Sequence, residues 1–140
     1  MTTAVGIRLS VLATFQPTTD PVVGQEFSGS LRFGVLSPYP PPRCGLGTFS
    51  AALADGLIAH GADVSVVRVS DGSPSTSARV IGELVNGAAA SVGACAELLN
   101  QSDVAIIQHE YGIYGGPDGD EIVDIIEALR VPVLVTAHTV

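Results

Sequence analysis

Short apolar runs alternate with helix-like patterns along the chain from about residue 32 onward. Each run is six to nine residues long and rich in β-branched side chains, which is typical of buried strands. Five segments predict strands: RFGVLS (32–37), ADVSVVRVS (62–70), RVIGELV (79–85), DVAIIQ (103–108) and VPVLVTA (131–137). The third also suits a helix, because Glu83 and Leu84 are both good helix formers, and that alternative stays open.

Helical spacing of apolar residues fills three of the intervals between these strands. The first helix is predicted over 48–60, with a stripe that includes Phe49, Leu53 and Leu57, and Gly61 suits its left-handed stop. The second ends near Asn100, and its stripe is Ala88, Val92, Cys95 and Leu99. The third carries Ile122, Ile125, Ile126 and Leu129, and Asp118 and Glu121 have the spacing of a capping box at its start.

Strands that alternate with helices predict an α/β fold. We expect a doubly wound, mainly parallel Rossmann-like sheet in the order 3-2-1-4-5, with helices on both faces. Residues 1–31 show no period and contain several Pro and Gly residues, which predicts a poorly ordered lead-in. The folded domain is therefore expected over 32–140.

Charge and cysteine content narrow the classes of partner. Fourteen acidic residues against six basic ones give a net charge of −8, and the six arginines are scattered singly along the chain. A nucleic acid or an anionic membrane needs clustered positive charge, so neither is expected as a partner. Two distant cysteines, no signal-peptide pattern and no apolar run of about 18 residues predict a soluble, cytoplasmic protein.

The candidate chemistry lies where strands end. In a doubly wound sheet, ligands bind beyond the carboxyl ends of the strands, at the point where the strand order reverses. The residues expected there are the 38–48 loop, Asp71, the 109–116 loop, and His138 with Thr139. With the order 3-2-1-4-5, the first, fourth and fifth of the predicted strands are neighbours, so the side chains that follow them are expected to converge on one crevice.

The loop before the first predicted helix is a candidate phosphate site. Gly45 and Gly47 expose backbone N–H groups at a helix N-terminus, and Arg43 adds a positive charge. The alternative is a proline-stiffened turn in which glycine serves only the backbone. A dinucleotide-binding loop is disfavoured, because seven residues (38–44) separate the strand from the glycines and Ser50 stands where its last Gly or Ala belongs.

His109 is the candidate catalytic residue, because it ends a buried strand and opens a glycine-rich loop at the crevice. Alternatively, His109 and His138 each have a purely structural role. His60 fits a helix C-terminus and is given no function. No spacing of metal ligands is present, so no metal site is expected, and a nucleophilic pair of Cys44 with His109 is a minor alternative.

Three segments carry a resemblance to a known family. They are FGVLSPYPPPRCGLGTF (33–49), DVAIIQHEYGIYGGPDG (103–119) and LRVPVLVTAHTV (129–140). Over residues 32 to 140 the chain resembles the N-terminal half of family 4 (group 1) glycosyltransferases, the retaining enzymes of GT-B fold. The resemblance implies an acceptor-side domain that works with a second, donor-binding domain, without a metal or other cofactor, on a nucleotide-sugar donor and a hydroxyl acceptor.

The resemblance also implies roles for single residues. Gly45 and Gly47 match the loop that approaches the donor diphosphate, and His109 matches the histidine that hydrogen-bonds the transferring sugar or the acceptor. His138 matches a residue of the same cleft wall. The family's donor domain is not in this sequence, so the chain by itself is expected to be an inactive fragment. The alternative is a non-catalytic Rossmann-like binding module.

The last predicted strand implies self-association. The VPVLV segment (131–135) is apolar on both faces and no lysine is present to discourage pairing of its outer edge. We expect dimers through that edge, or an N-terminal tail (1–31) that folds back to shield it.

Overall fold

The computed structural model describes residues 29–138, and most of the predicted lead-in lies outside this range. The first strand begins at the predicted start of the folded domain. The elements in chain order are β1 (Arg32–Ser37), α1 (Gly45–Ala59), β2 (Asp63–Val69), β3 (Val80–Leu84), α2 (Ala89–Leu99), β4 (Val104–His109), α3 (Glu121–Ala128) and β5 (Val133–Ala137). The ambiguous third segment is therefore a strand.

All five strands pair in parallel in the order β3-β2-β1-β4-β5, which confirms the predicted doubly wound α/β sheet. β1 is central, since Val35 lies in register with Val66 of β2 and with Ile106 of β4. The chain leaves β1 towards β2 and β3, and it later returns to the other side of β1 as β4. This reversal places the crevice at the carboxyl end of β1.

Two apolar cores form because the sheet is covered on both faces. One core lies under α1 and is built on Val35, Tyr39, Val66 and Ile106. The other lies under α2 and α3, and its buried members include Leu36, Val67, Leu84, Leu99, Ile107, Ile122 and Ile125. Adjacent strand residues alternate between the two cores, which explains why the strands are continuous apolar runs.

Helix α1 is rotated relative to its predicted stripe. Its buried residues are Leu46, Gly47, Ser50 and Ala54, whereas Phe49 is 47% exposed. The hydroxyl oxygens of Ser50 and Ser37 lie 2.6 Å apart in the core, and this buried hydrogen bond turns Ser50 towards the sheet. The end of the helix agrees with the prediction, since Gly61 has a φ of 87°.

The predicted capping box of α3 is wrong. Asp118 sits in a 3-10 turn (Pro117–Gly119) with a left-handed φ of 54°, and Asp120 takes the N-cap position without a side-chain hydrogen bond. Glu121 serves another segment, because its carboxylate oxygens accept the backbone N–H of Gly87 at 2.9 and 3.1 Å. The spacing was right for a cap, but a tertiary contact takes the carboxylate.

Strand β5 pairs with β4 alone among residues 29–138. Leu134 and Val135 are 55% and 43% exposed, so apolar side chains remain open on both of its faces. Association through this edge stays a prediction. No helix in the described part is long and apolar enough to cross a membrane.

Substitution of Gly34 tests the packing between β1 and the α2 side of the sheet. A methyl group at this buried position would lie 2.6 Å from Ser102 Oγ and 3.2 Å from a Leu99 methyl carbon. We expect Gly34→Ala to lower the free energy of unfolding by about 1–3 kcal/mol, the usual cost of overpacking, in urea denaturation.

Gly56→Ala is the matched control. Gly56 lies on the exposed side of α1, and a methyl group there would meet nothing within 4 Å, so alanine is expected to stabilise the chain by up to about 1 kcal/mol. Equal effects of the two alanines would contradict the close approach at Gly34.

Candidate functional site

The carboxyl edge of the sheet holds a crevice of about 270 Å³. Its walls come from the loop after β1, the end of β2, the loop after β3 and the loop after β4. The lining residues are Pro38, Tyr39, Pro42, Cys44, Arg68, Val69, Ser70, Asp71, Asn86, Gly112 and Ile113. Loops from four strands therefore meet where the topology predicts a ligand site.

The N-terminus of α1 opens onto this edge. Cys44 precedes it in an extended conformation, its side chain makes no capping hydrogen bond, and the first turn has no acidic residue. A methyl group at Gly47 would lie 3.4 Å from the backbone of Tyr39, whereas one at Gly45 would meet nothing within 4 Å. Gly47 thus lets the helix pack against the loop, and Gly45 leaves the first backbone amides open to an anion.

Arg43 stands apart from the other arginines of residues 29–138. Arg32, Arg68, Arg79 and Arg130 each form an ion pair with a carboxylate. Arg43 makes no such pair and is exposed, one residue before the N-cap of α1. Its positive charge and the helix dipole therefore act at the same place.

His109 is half-buried at the last position of β4, next to the loop that lines the crevice with Gly112 and Ile113. Its ring stacks on Tyr114 with centroids 6.0 Å apart, and Tyr111 approaches its edge at 6.2 Å. The Tyr114 hydroxyl donates a 2.6 Å hydrogen bond to the Gln108 carbonyl, and burial raises the pKa of this phenol far above its usual value. The His109 ring therefore packs on a buried, protonated tyrosine whose hydroxyl is hydrogen-bonded to the backbone.

His138 follows β5 and joins three elements. Its backbone N–H donates to the His109 carbonyl at 2.9 Å, and its Nε2 lies 2.5 Å from Gln108 Oε1. Its ring meets the edge of Phe49, from the first turns of α1, at 4.9 Å between centroids. Phe49 of α1, His138 and the His109 carbonyl are therefore in contact, whereas Gly45, His109 and His138 are not among the residues that line the crevice. Their convergence on one ligand site stays a prediction. The predicted site residue Thr139 lies outside the described residues.

The glycine-rich loop after β4 is hydrogen-bonded to the loop after β3. Asn86 Nδ2 donates to the Ile113 carbonyl at 2.8 Å, next to the contact between Glu121 and Gly87. Gly115 fits between them because a side chain there would run into the Glu121 carboxylate and Asn86. Glycine at this position is required by a close approach rather than by a turn.

Asp71 lies at the end of β2 as predicted, but its carboxylate is already engaged. Hydrogen bonds from the Ser73 hydroxyl and backbone, and then the charge of Arg68, lower the pKa of Asp71. Arg68 is 1% exposed and donates from Nε to Glu83 at 3.0 Å and from Nη1 to Asp71 at 3.3 Å. Its charge is balanced locally, so Arg68 supports the crevice wall and is not free to hold an anion.

Two solved structures of an alpha-glucosyltransferase resemble the chain. One is in complex with UDP and a 13-mer DNA containing an HMU base, with a TM-score of 0.58, 19% identity, and coverage of 76% of this chain and 30% of that chain. The other is in complex with UDP and a 13-mer DNA containing a central A:G mismatch, with a TM-score of 0.57, 18% identity and the same coverage. What they share with this chain is the fold. The chain spans 30% of their length.

No family model matches the chain, and no curated protein matches it in sequence.

Among residues 29–138, no group of three or more His, Cys, Asp or Glu side chains is arranged to hold a metal ion. Cys95 lies on the buried side of α2, and desolvation raises the pKa of its thiol to about 12.

Sequence reasoning missed three residues that build the site. The apolar spacing places Phe49 in a buried stripe, whereas its ring packs on His138. No pattern in the neighbouring sequence indicates the contact of Tyr114 with His109. Gln108 is predicted only as the last residue of an apolar strand. The available signal was polarity, since Gln108 directly follows four apolar residues of a strand expected to be buried.

Tyr114→Phe tests the support of His109. The change keeps the ring but removes the hydroxyl that donates to the buried Gln108 carbonyl, so the free energy of unfolding should fall by about 1–2 kcal/mol. Tyr111→Phe is the matched control, because Tyr111 is 72% exposed and has no hydrogen bond in the described part. Thermal or urea denaturation measures both, and equal stability of the two variants would contradict this role.

Proposed function

We propose that the chain supplies the acceptor-side half of a retaining glycosyltransferase of GT-B fold, family 4 (group 1), which moves a sugar from a nucleotide-sugar donor to a hydroxyl acceptor. The observation behind the proposal is the contact of Phe49 in α1 with His138, whose backbone N–H donates to the His109 carbonyl at the carboxyl edge of the sheet. The fold shared with UDP-bound alpha-glucosyltransferases supports it.

The anion end of the proposed site is the first turn of α1. The backbone amides near Gly45 and Gly47 and the exposed guanidinium of Arg43 approach the donor diphosphate. Arg43 suits this role because it forms no ion pair with a carboxylate in the described part of the chain. The other four arginines of residues 29–138 are already paired.

The sugar end of the proposed site is His109. Its ring packs against Tyr114 at the end of β4. Ligands of doubly wound sheets bind beyond such strand ends. There it hydrogen-bonds the transferring sugar or the acceptor, and its loss removes an interaction that aligns the reacting groups.

No metal or other cofactor has a part in this proposal, and the proposed location is the cytoplasm. The proposed acceptor is not a nucleic acid, although both neighbours are complexes with DNA. A net charge of −8 and the pairing of four arginines leave little positive surface for a phosphate backbone.

The chain alone is proposed to be inactive. Transfer requires both substrates to be bound and aligned, and that alignment contributes much of the reduction in the barrier. Purified residues 1–140 incubated with nucleotide sugars should give no transfer above the uncatalysed rate, and a measurable turnover would contradict the proposal.

Arg43→Gln tests the anion end in this chain. We expect titration with UDP to shift the backbone amide resonances of Gly45, Leu46 and Gly47, and the variant to bind about threefold to tenfold more weakly. This range corresponds to a partly exposed charge-assisted hydrogen bond of the order of 1 kcal/mol.

Arg130→Gln is the control for overall charge, since Arg130 precedes β5 at the opposite edge of the sheet and is paired with Glu97. It should leave UDP binding unchanged. Equal weakening by both variants, or shifts that avoid the start of α1, would place the nucleotide elsewhere.

His109→Ala tests the sugar end in an enzyme that contains this chain together with a donor-binding domain. We expect the transfer rate to fall by about 10²-fold or more, with the melting temperature preserved, because the ring is only half-buried at the end of β4. An unchanged rate would make His109 structural. UDP binding by the chain without any effect of His109 on transfer would favour the non-catalytic binding module.

A further inference from the structure

Gln108 is a buried amide with a single side-chain partner. Its side chain is fully buried near the end of β4, and its Oε1 lies 2.5 Å from His138 Nε2. Its Nε2 has no hydrogen-bond partner in the part of the chain that the structure describes. Burying an amide is costly unless its polar groups are hydrogen-bonded. The hydrogen bond to His138 therefore offsets part of the cost of burying Gln108.

The chemistry of the two groups fixes the direction of this hydrogen bond. The amide oxygen of Gln108 can only accept, so Nε2 of His138 carries a hydrogen and donates it. A neutral imidazole has one N–H group, and the other ring nitrogen is then an acceptor. Nδ1 is therefore the acceptor of the His138 ring.

The orientation of the ring is fixed as well. Phe49 packs its edge against the imidazole, and the backbone N–H of His138 is bonded to the His109 carbonyl. His138 is nevertheless exposed, and its Nδ1 makes no hydrogen bond within residues 29–138. Nδ1 is the ring nitrogen that remains for a ligand.

We propose that Gln108 is a positioning residue that holds His138 as the Nε2–H tautomer, so that Nδ1 accepts a hydrogen bond from a sugar or acceptor hydroxyl. The ligand part of this inference rests on the proposed function. A diphosphate at neutral pH offers acceptor oxygens, and two acceptors do not pair. His138 therefore belongs to the hydroxyl end of the site, whereas Arg43 and the α1 N-terminus form the anion end.

His60 provides an internal reference of the opposite tautomer. Its Nδ1 lies 2.8 Å from the Gly56 carbonyl oxygen, which can only accept, so its hydrogen is on Nδ1, and its Nε2 has no hydrogen bond within residues 29–138. The chain thus contains both tautomers in one sample. Their long-range ¹H–¹⁵N correlation patterns differ, which makes the assignment of each ring direct.

The first experiment records these spectra on the ¹⁵N-labelled chain at a pH where all three histidines are neutral. We expect the Nε2–H pattern for His138, with slowed solvent exchange of that proton, and the Nδ1–H pattern for His60. An Nδ1–H pattern for His138 would overturn the proposal, since it means that the Gln108 amide donates to the ring.

Variants of Gln108 assign the effect to this side chain. Gln108→Glu keeps an oxygen acceptor and should keep the Nε2–H pattern, whereas Gln108→Leu should give a tautomer mixture and fast exchange. If the leucine variant does not fold, Gln108→Asn withdraws the acceptor with less disruption and should give the same mixture. An unchanged His138 pattern in a folded leucine or asparagine variant would overturn the positioning role.

Two probes test the class of ligand on the same spectra. Glucose, taken towards its solubility limit, should shift His138 Nδ1, and inorganic pyrophosphate should shift the amides of Gly45–Gly47 and leave Nδ1 unchanged. A pyrophosphate shift at Nδ1, or no glucose shift there, would overturn the hydroxyl assignment. The tautomer result requires no transfer activity, so failure of the proposed function and failure of this inference are distinguishable.

Discussion

The pairing of β1 with β2 on one side and β4 on the other is the constraint on which the site depends. Because the connections on the two sides run in opposite directions along the sheet, the loop after β1 separates from the loop after β4. Cys44, next to the start of α1, lines this gap on one side, and Gly112 and Ile113 of the loop after β4 line it on the other. The sheet order alone therefore explains why residues far apart in the chain meet.

Apolar periodicity was enough to predict that sheet. The three inner strands β1, β2 and β4 have both faces covered over most of their length, so continuous apolar runs mark them in the sequence. The helix faces were harder, because α1 is apolar over much of its circumference and a single buried hydrogen bond between Ser37 and Ser50 decides its rotation. Periodicity carries no information about such a contact.

The candidate site was predictable in position but not in its supporting contacts. Strand ends predict the loops that line the crevice, and the roles of His109, His138, Gly45 and Gly47 stay predictions. The roles of Gln108 and Glu121 depend on partners 30 and 34 residues away, and no local pattern indicates those pairings. Asp118 shows the converse, since its local spacing was right and a tertiary contact of Glu121 replaced the expected cap.

The tie between Asn86, Gly87 and the loop after β4 has a consequence for the thermodynamics of binding. Hydrogen bonds of Glu121 and Asn86 join the loop after β3 to α3 and to the loop after β4, and so reduce the freedom of one wall of the crevice. A wall that is already ordered loses little conformational entropy on binding, so more of the contact energy remains as affinity. The same tie connects the first residue of α3 to the crevice. A displacement of that helix would therefore move the wall with it, and events at the outer surface of α3 would alter affinity without touching the ligand.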